Sequence, residues 1–161
     1  PEVVEVVVYA APPTGQSDRI MNQLNDLIYH GLTTVQDEGD FIGIRLCDAP
    51  TFGSGAPTLD SESPLLARIA AVLETEPGGI IVEGHSDNIP LNGRGQFKTN
   101  EALSEARAAA VADVLAPYLT EPTRLSVIGV GPSKPLDTAN TPEARAKNRR
   151  VDILLRKEQQ L

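Results

Sequence analysis

The sequence predicts an α/β fold, an α+β sandwich in which helices pack over one sheet, and three observations carry that expectation. Stretches with the apolar spacing of a helical face alternate with short runs rich in β-branched residues. Prolines and glycines, 13 of each, are scattered between these stretches rather than repeated within them. At 161 residues with 40% hydrophobic side chains, the chain is long enough to bury one core.

In chain order, Glu2 to Ala10 is valine-rich and reads as a strand, stopped by Ala11-Pro12-Pro13-Thr14-Gly15. Residues 1–16 are therefore an arm or linker. From a Ser17 N-cap, Ile20, Met21, Leu24, Leu27 and Ile28 fall on one face of an amphipathic helix that Gly31 ends. With a lead-in strand, Leu32 to Gln36, this makes a unit over 17–37. Asp37-Glu38-Gly39-Asp40 then turns the chain into a second strand, Phe41 to Cys47, giving a β-hairpin. Cys47 closes an apolar run and reads as a small buried hydrophobe.

Ser63-Pro64 starts a helix with Leu65, Leu66, Ile69, Val72 and Leu73 on one face, stopped by Pro77 and two glycines. A strand follows from Ile80 to His85, then a loop from Ser86 to Thr99 and a longer helix from Asn100 to Leu119. A strand from Leu125 to Val130, a short helix near Pro142 to Lys147 and a last strand from Arg149 to Leu155 complete the pattern. An internal echo at an offset of 45 relates Thr75-Glu76-Pro77 to Thr120-Glu121-Pro122, Val82 to Val127, Gly84 to Gly129 and Pro90 to Pro135. Two copies are too few for a solenoid, so the echo suggests two helix-strand units stacked in one sheet, unless it is chance.

Composition removes several functions. Fourteen basic against 22 acidic residues give a net charge of -8, and no basic run exceeds a pair such as Arg149-Arg150, so nucleic acid is excluded as a partner. One cysteine and two histidines cannot supply the usual zinc sets, and no metal or other cofactor is expected. No Gly-x-Ser-x-Gly, His-Glu-x-x-His or Cys-His pairing suggests a hydrolase, so the chain is read as a binding protein rather than an enzyme. No apolar run could cross a bilayer. Because the sequence starts at Pro1, we expect a piece of a longer protein whose targeting or anchoring segment lies upstream.

Arg107 is the most informative single residue. At 100° per residue it projects into the middle of a stripe formed by Leu103, Ala110, Val111, Val114 and Tyr118, where a guanidinium demands a carboxylate from the protein or a ligand. Glu101, Glu105 and Asp113 project away from that stripe. Asp87, just past the strand Ile80 to His85, is the acid best placed by topology, although Ser86-Asp87-Asn88 is also ordinary turn chemistry. Asn100 shares the projected face of Arg107, either capping the helix or offering its amide to a ligand. Arg149 shares parity with Val151, Ile153 and Leu155 and is placed near the pocket. Arg150, of the opposite parity, is expected to be solvated or in a cross-strand ion pair, and His85 to be a strand-end histidine bonded to backbone.

These residues add up to a resemblance. Gly84-His85-Ser86-Asp87-Asn88, Asn100-x-x-Leu103-Ser104-x-x-Arg107-Ala108, Gly129, Pro135 and Asn148-Arg149-Arg150-Val151 resemble the OmpA-like peptidoglycan-binding domain of OmpA, Pal and MotB, over about residues 38–156. A tail, 157–161, follows. The resemblance implies a βαβαβ domain with helices on one mixed sheet, which holds the diaminopimelate of the peptidoglycan stem peptide without cleaving it. Asp87 would receive the ligand's ammonium and Arg107 its carboxylate, with Ser86, Asn88, Asn100 and Arg149 around them. The segment Asp40 to Leu46 followed by Phe52-Gly53-Ser54-Gly55 resembles the periplasmic extension of the DotU-type inner-membrane protein of type VI secretion. That implies a periplasmic domain tethered to the inner membrane upstream of Pro1, with secretion-complex proteins as partners. MotB-like or Pal-like anchoring, or a pure protein-protein module, are the alternatives, and homodimer formation is left open. Ser86 stands for the usual Thr, Glu101 for an aromatic residue, and Ala144 for a Gly.

Overall fold

The structure, a computed structural model, describes residues 15–47 and 63–158. The valine-rich segment and Phe52-Gly53-Ser54-Gly55 lie outside the described residues. The predicted first helix is two: α1 (Gln16–Gln23) and α2 (Asn25–Tyr29), divided at Leu24, whose ψ of 10° leaves the helical range. Ile20 and Leu24 are fully buried while Met21 is exposed, so the buried face is narrower than the periodicity implies. Ser17 lies inside α1, and Gly15 takes the N-cap position without a side-chain bond.

β1 (Thr33–Glu38) and β2 (Phe41–Cys47) pair antiparallel through a tight turn at Gly39, which adopts φ +74° while Asp37 Oδ1 accepts from its N–H. Helix α3 (Pro64–Thr75) starts as predicted: Ser63 Oγ accepts from Leu66 N, and Pro64 fills the first turn. Then come β3 (Ile80–His85), α4 (Asn100–Leu115), β4 (Leu125–Gly129), α5 (Pro142–Asn148) and β5 (Arg150–Arg156). Helix α4 is shorter than expected because the chain tightens into a 3-10 turn at Ala116–Tyr118, around Pro117, leaving Tyr118 exposed. No helix among the described residues is long and apolar enough to cross a membrane.

The five strands are ordered β1-β2-β5-β3-β4, antiparallel except for the parallel pair β3/β4. This is the α+β arrangement expected. Ile42, Ile44 and Leu46 of β2, Val151, Ile153 and Leu155 of β5 and Ile80 and Val82 of β3 point to one face. They form a single core with Ile20, Leu24, Leu66, Ile69, Leu73, Val111 and Leu115 from the helices. The 45-residue echo is the register of the parallel ladder: Ile80 pairs with Leu125, Val82 with Val127 and Gly84 with Gly129. Both glycines are required by close approach of α4. A Cβ on Gly84 would lie 1.9 Å from Ser104 O, and one on Gly129 would lie 2.4 Å from Glu105 N.

Cys47 departs from expectation. It is exposed, because Ile42, Ile44 and Leu46 take the core side of β2 and parity turns Cys47 the other way at the strand's end.

Candidate ligand site

The C-terminal ends of the parallel pair and the start of antiparallel β5 meet at one end of the sheet, bringing three loops together. Backbone bonds extend the β3/β4 pairing past the strands: Val130 N donates to Gly84 O at 3.0 Å and Ser86 N to Gly131 O at 2.9 Å. Gly131 N in turn donates to Ser104 Oγ at 3.0 Å, so α4, β3 and the turn after β4 are stitched beneath the site. On this base Asp87 forms a tight turn, with Oδ1 accepting from Ile89 N at 3.0 Å. Its Oδ2 accepts from Arg149 Nη1 at 2.9 Å. Arg149 immediately precedes β5, and its side chain stays one-third exposed while that of Asp87 is half as exposed.

Asn100 does not cap α4. Thr99 does, with Oγ1 accepting from Ala102 N at 3.1 Å. The Asn100 amide instead donates to Ile89 O at 2.9 Å and, more weakly, to Asp87 O at 3.5 Å, fixing the Asp87 turn against the helix. Ser86 Oγ donates to Asp87 O at 2.9 Å and Asn88 is exposed. Asp87, Arg149, Asn100, Ser86 and Asn88 are thus brought to one place.

Arg107 is buried, 5% exposed, on the sheet side of α4. The buried face runs through Ser104, Arg107, Ala108, Val111, Ala112, Val114 and Leu115. It keeps Arg107 central, as the projection expected, but omits Leu103, Ala110 and Tyr118. Glu101, Glu105 and Asp113 are exposed. Among the described residues the cation bonded to the Asp87 carboxylate is Arg149, not Arg107.

Beside this turn lies a cleft of about 200 Å³ lined by Ser86, Asn88, Pro132, Asp137, Thr138 and Asn148, among others. Asn148, the last residue of α5, was not assigned a role from sequence. Its buried Oδ1 accepts from Leu136 N at 2.8 Å and Asp137 N at 3.1 Å, and its Nδ2 donates to Asp137 O at 2.9 Å. The only sequence signal for it is its place in Asn148-Arg149-Arg150.

The far face of the same strands corrects two expectations. Of the two alternatives for Arg150, solvation fails and ion pairing holds, though not across strands: it is 6% exposed, and Nε donates to Asp152 Oδ2 at 3.1 Å on its own strand. His85, 1% exposed, has Nε2 2.8 Å from Glu83 Oε1, and neither ring nitrogen has a well-aligned hydrogen bond, to backbone or otherwise. Alternation along β3 and β5 puts Glu83, His85, Arg150 and Asp152 together, with Arg45 of β2 bonded to both oxygens of Asp152. Lys134 Nζ lies 3.2 Å from Glu83 Oε2. The close His85 contact, helped by Lys134 and opposed by desolvation, holds the Glu83 carboxyl down at about 2. Desolvation, opposed by Asp152, lowers the Arg150 guanidinium.

Glu83, His85 and Asp152 are close enough to share a metal ion. Their carboxylates, however, already serve Arg45, Arg150 and Lys134, three cations that a divalent ion would have to displace. A larger hollow of about 560 Å³ lies at the opposite end of the sheet, lined by Glu74, Glu76, Gly78, Thr120, Glu121 and Arg124. Arg124 is spent on the carbonyls of Leu73, Glu76 and Gly78, and Glu74 on Thr120, so these charged groups are committed to the fold.

The fold and site define a domain with paired charges at the end of a mixed sheet, and residues 51–149 match the OmpA family. The chain belongs to that family. A solved structure described as the cell wall anchor of the T6SS from Pseudomonas aeruginosa is 34% identical, with a TM-score of 0.78, and the match covers 87% of this chain and 98% of that one. Motility protein B of Bacillus subtilis is 36% identical over 127 residues, 76% of this chain and 47% of the relative. The peptidoglycan-binding protein ArfA of Mycobacterium bovis is 34% identical over 106 residues, 65% of this chain and 31% of the relative. The chain thus spans about half the length, or less, of these two curated relatives.

Proposed function

We propose that this chain is a non-catalytic peptidoglycan-binding domain that anchors a cell-envelope complex to the wall. The observation that carries the reading is the convergence at one sheet end of Asp87, Arg149 and Asn100, with a cation, Arg107, buried on the helix that Asn100 begins. The ligand is the diaminopimelate of the stem peptide. Its ammonium is received by Asp87, whose carboxylate keeps acceptor capacity beyond its two bonds, and its carboxylate by the arginines. Ser86 and Asn88 edge the adjoining cleft, where the rest of the stem peptide has room.

The complex served is a type VI secretion system, a choice supported by the similarity to the cell wall anchor of the T6SS over nearly the whole of that chain. In this reading the domain is periplasmic, is tethered to the inner membrane upstream of residue 1, and works beside inner-membrane secretion-complex proteins. Similarity to Motility protein B supports a flagellar-stator anchor as the second reading. Both share the wall contact.

The test is a pull-down with purified sacculi, competed by free meso-diaminopimelate. Binding that is lost in the presence of the free amino acid is expected, and no turnover of the sacculi. Binding that survives combined Asp87→Ala and Arg107→Ala would favour a protein-protein module instead.

A further inference from the structure

The wall of the cleft beside Asp87 is a loop, residues 131–140, with no regular structure of its own, so its shape depends on what fastens it. Besides the bonds of Gly131 with Ser104 and Ser86, that of Arg145 to Asn140 and the Lys147–Asp137 ion pair, three attachments hold its middle. Arg150 Nη2 donates to Lys134 O at 3.0 Å, the Asn148 side chain makes its three bonds to Leu136 and Asp137, and Lys134 Nζ reaches back to Glu83. Arg150 joins the first two, since its Nη1 also donates to Asn148 O at 3.3 Å and its Nε is held by Asp152.

We infer that Arg150, from the far face of the sheet, and Asn148, from the cleft itself, are positioning residues that fix the 131–140 loop and with it the cleft beside Asp87. Adjacent residues lie on opposite sides of the same rung. Arg150 is paired with His85 in the β3/β5 ladder. The residues flanking that rung toward the loops, Arg149 and Ser86-Asp87, carry the front ion pair. A cation buried at 6% exposure costs more than a surface one, and here it is matched by Asp152 and by two backbone carbonyls that otherwise lack a strand partner. Its planar fork reaches Asp152, Asn148 O and Lys134 O from three separate nitrogens, a span that the single nitrogen of a lysine does not match. Asn148 complements it, because a single amide accepts from two successive N–H groups and donates to a carbonyl of the same loop.

This inference names the residues that shape the proposed wall site and so rests on that reading for its functional half only. The structural half is read without ligand, as amide hydrogen exchange at Leu136 and Asp137 in the full chain. Arg150→Lys and Asn148→Ala are expected to speed that exchange about tenfold or more, the equivalent of losing about one net hydrogen bond. Asn148→Asp keeps the acceptor and should restore much of the protection. Arg45→Gln serves as control, since it disrupts the same ionic network at Asp152 without touching the loop. On sacculi, Arg150→Lys and Asn148→Ala should each weaken binding about tenfold while Arg45→Gln leaves it within about twofold. Unchanged exchange at Leu136 and Asp137 in both loop variants would overturn the inference. So would equal losses of binding in Arg45→Gln and Arg150→Lys, which would mean a purely structural role. Were the parent chain itself to ignore sacculi, the proposed function would fall while the exchange experiment still decided whether these side chains hold the loop.

Discussion

The two ends of the sheet use the same kinds of charged side chain to opposite effect. At the end away from the site, Glu76 is 4% exposed and fully engaged: Arg19 donates to it from Nε at 2.9 Å and from Nη2 at 3.0 Å, while Arg124 clamps three carbonyls around it. At the site, the Asp87 carboxylate accepts from Arg149 Nη1 at 2.9 Å and from Ile89 N at 3.0 Å, and both charged side chains keep part of their surface in water. The saturated end has the larger hollow, and the smaller cleft adjoins the water-facing pair. Under the proposed function it is the water-facing charge, rather than the volume, that would receive a zwitterion.

The sharpest break of that comparison is at the water-facing end. Asp87→Ala or Arg107→Ala should each abolish detectable sacculus binding, since at about 4 Å and an effective dielectric near 20 each pole is worth roughly 4 kcal/mol before hydration offsets much of it. Arg107→Lys should also bind poorly, because an ammonium cannot form two parallel hydrogen bonds to a carboxylate. Near-parental binding by Arg107→Lys, measured with the same sacculi, would reduce Arg107 to diffuse charge. Arg107→Ala should in addition melt at a lower temperature than Asp87→Ala, because the buried arginine also packs through its methylene stem.

Between the ends, the helix α4 rests on Gly84 and Gly129. A methyl group at Gly84 meets the Ser104 carbonyl, which is backbone and cannot rotate away. Gly84→Ala should therefore cost about 3 kcal/mol or more and, by lifting α4, disturb Arg107 and Asn100 together. In a domain of this size that is a fall in Tm of roughly 6–12 °C. A melt within about 2 °C of the parent would mean that α4 can shift at little cost. At the saturated end, Glu76→Gln should cost about 2–3 kcal/mol, less than a fully buried pair because Arg19 is one-third exposed, and should leave sacculus binding unaltered. Loss of binding in Glu76→Gln would show that the two ends are coupled and would undo the contrast drawn between them.

How much of this was legible depends on whether a requirement falls on one residue or on a covering segment. The echo at 45 residues was legible because a strand-end glycine under a crossing helix is a demand on that position alone, and the same demand recurs in the neighbouring strand. The burial of Arg107 was legible because a cation in an apolar stripe is conspicuous in a helical projection. Arg150 was misjudged for the converse reason. Strand parity assigned it to the face turned from the core, correctly, but parity says nothing about what covers that face. Here the chain around Lys134 folds back over it. Cys47 shows the same limit, since an apolar run does not reveal which of its members ends on the outer side. The break at Leu24 and the loop-holding role of Asn148 depend on tertiary contacts that local spacing does not encode.

The smallest effect separates the covered face from both ends by its response to acid. Glu83 is held at about 2, against an ordinary value of 4.5, with the His85 contact as the chief cause and the Lys134 bond behind it. A carboxyl lowered on folding contributes stability that is complete above about 4.5 and is lost as the pH falls from there toward 2. Between pH 7 and 5, Glu83 should therefore leave the melting temperature unchanged. Below pH 4.5 it should remove on the order of 2 kcal/mol, less than the full linkage value because the His85 contact is close but poorly aligned. The exposed pairs Asp26–Arg68 and Asp37–Lys157 also weaken in acid, but they are present in any variant of Glu83 and cancel in a difference. Glu83→Gln, melted beside the parent from pH 7 to 3, isolates the contribution: it should be the less stable protein at pH 7, with a gap that narrows as the pH falls from 4.5 to 3. A constant gap between the two across that range would mean that Glu83 stabilises the sheet by packing and hydrogen bonding alone, with its charge contributing nothing.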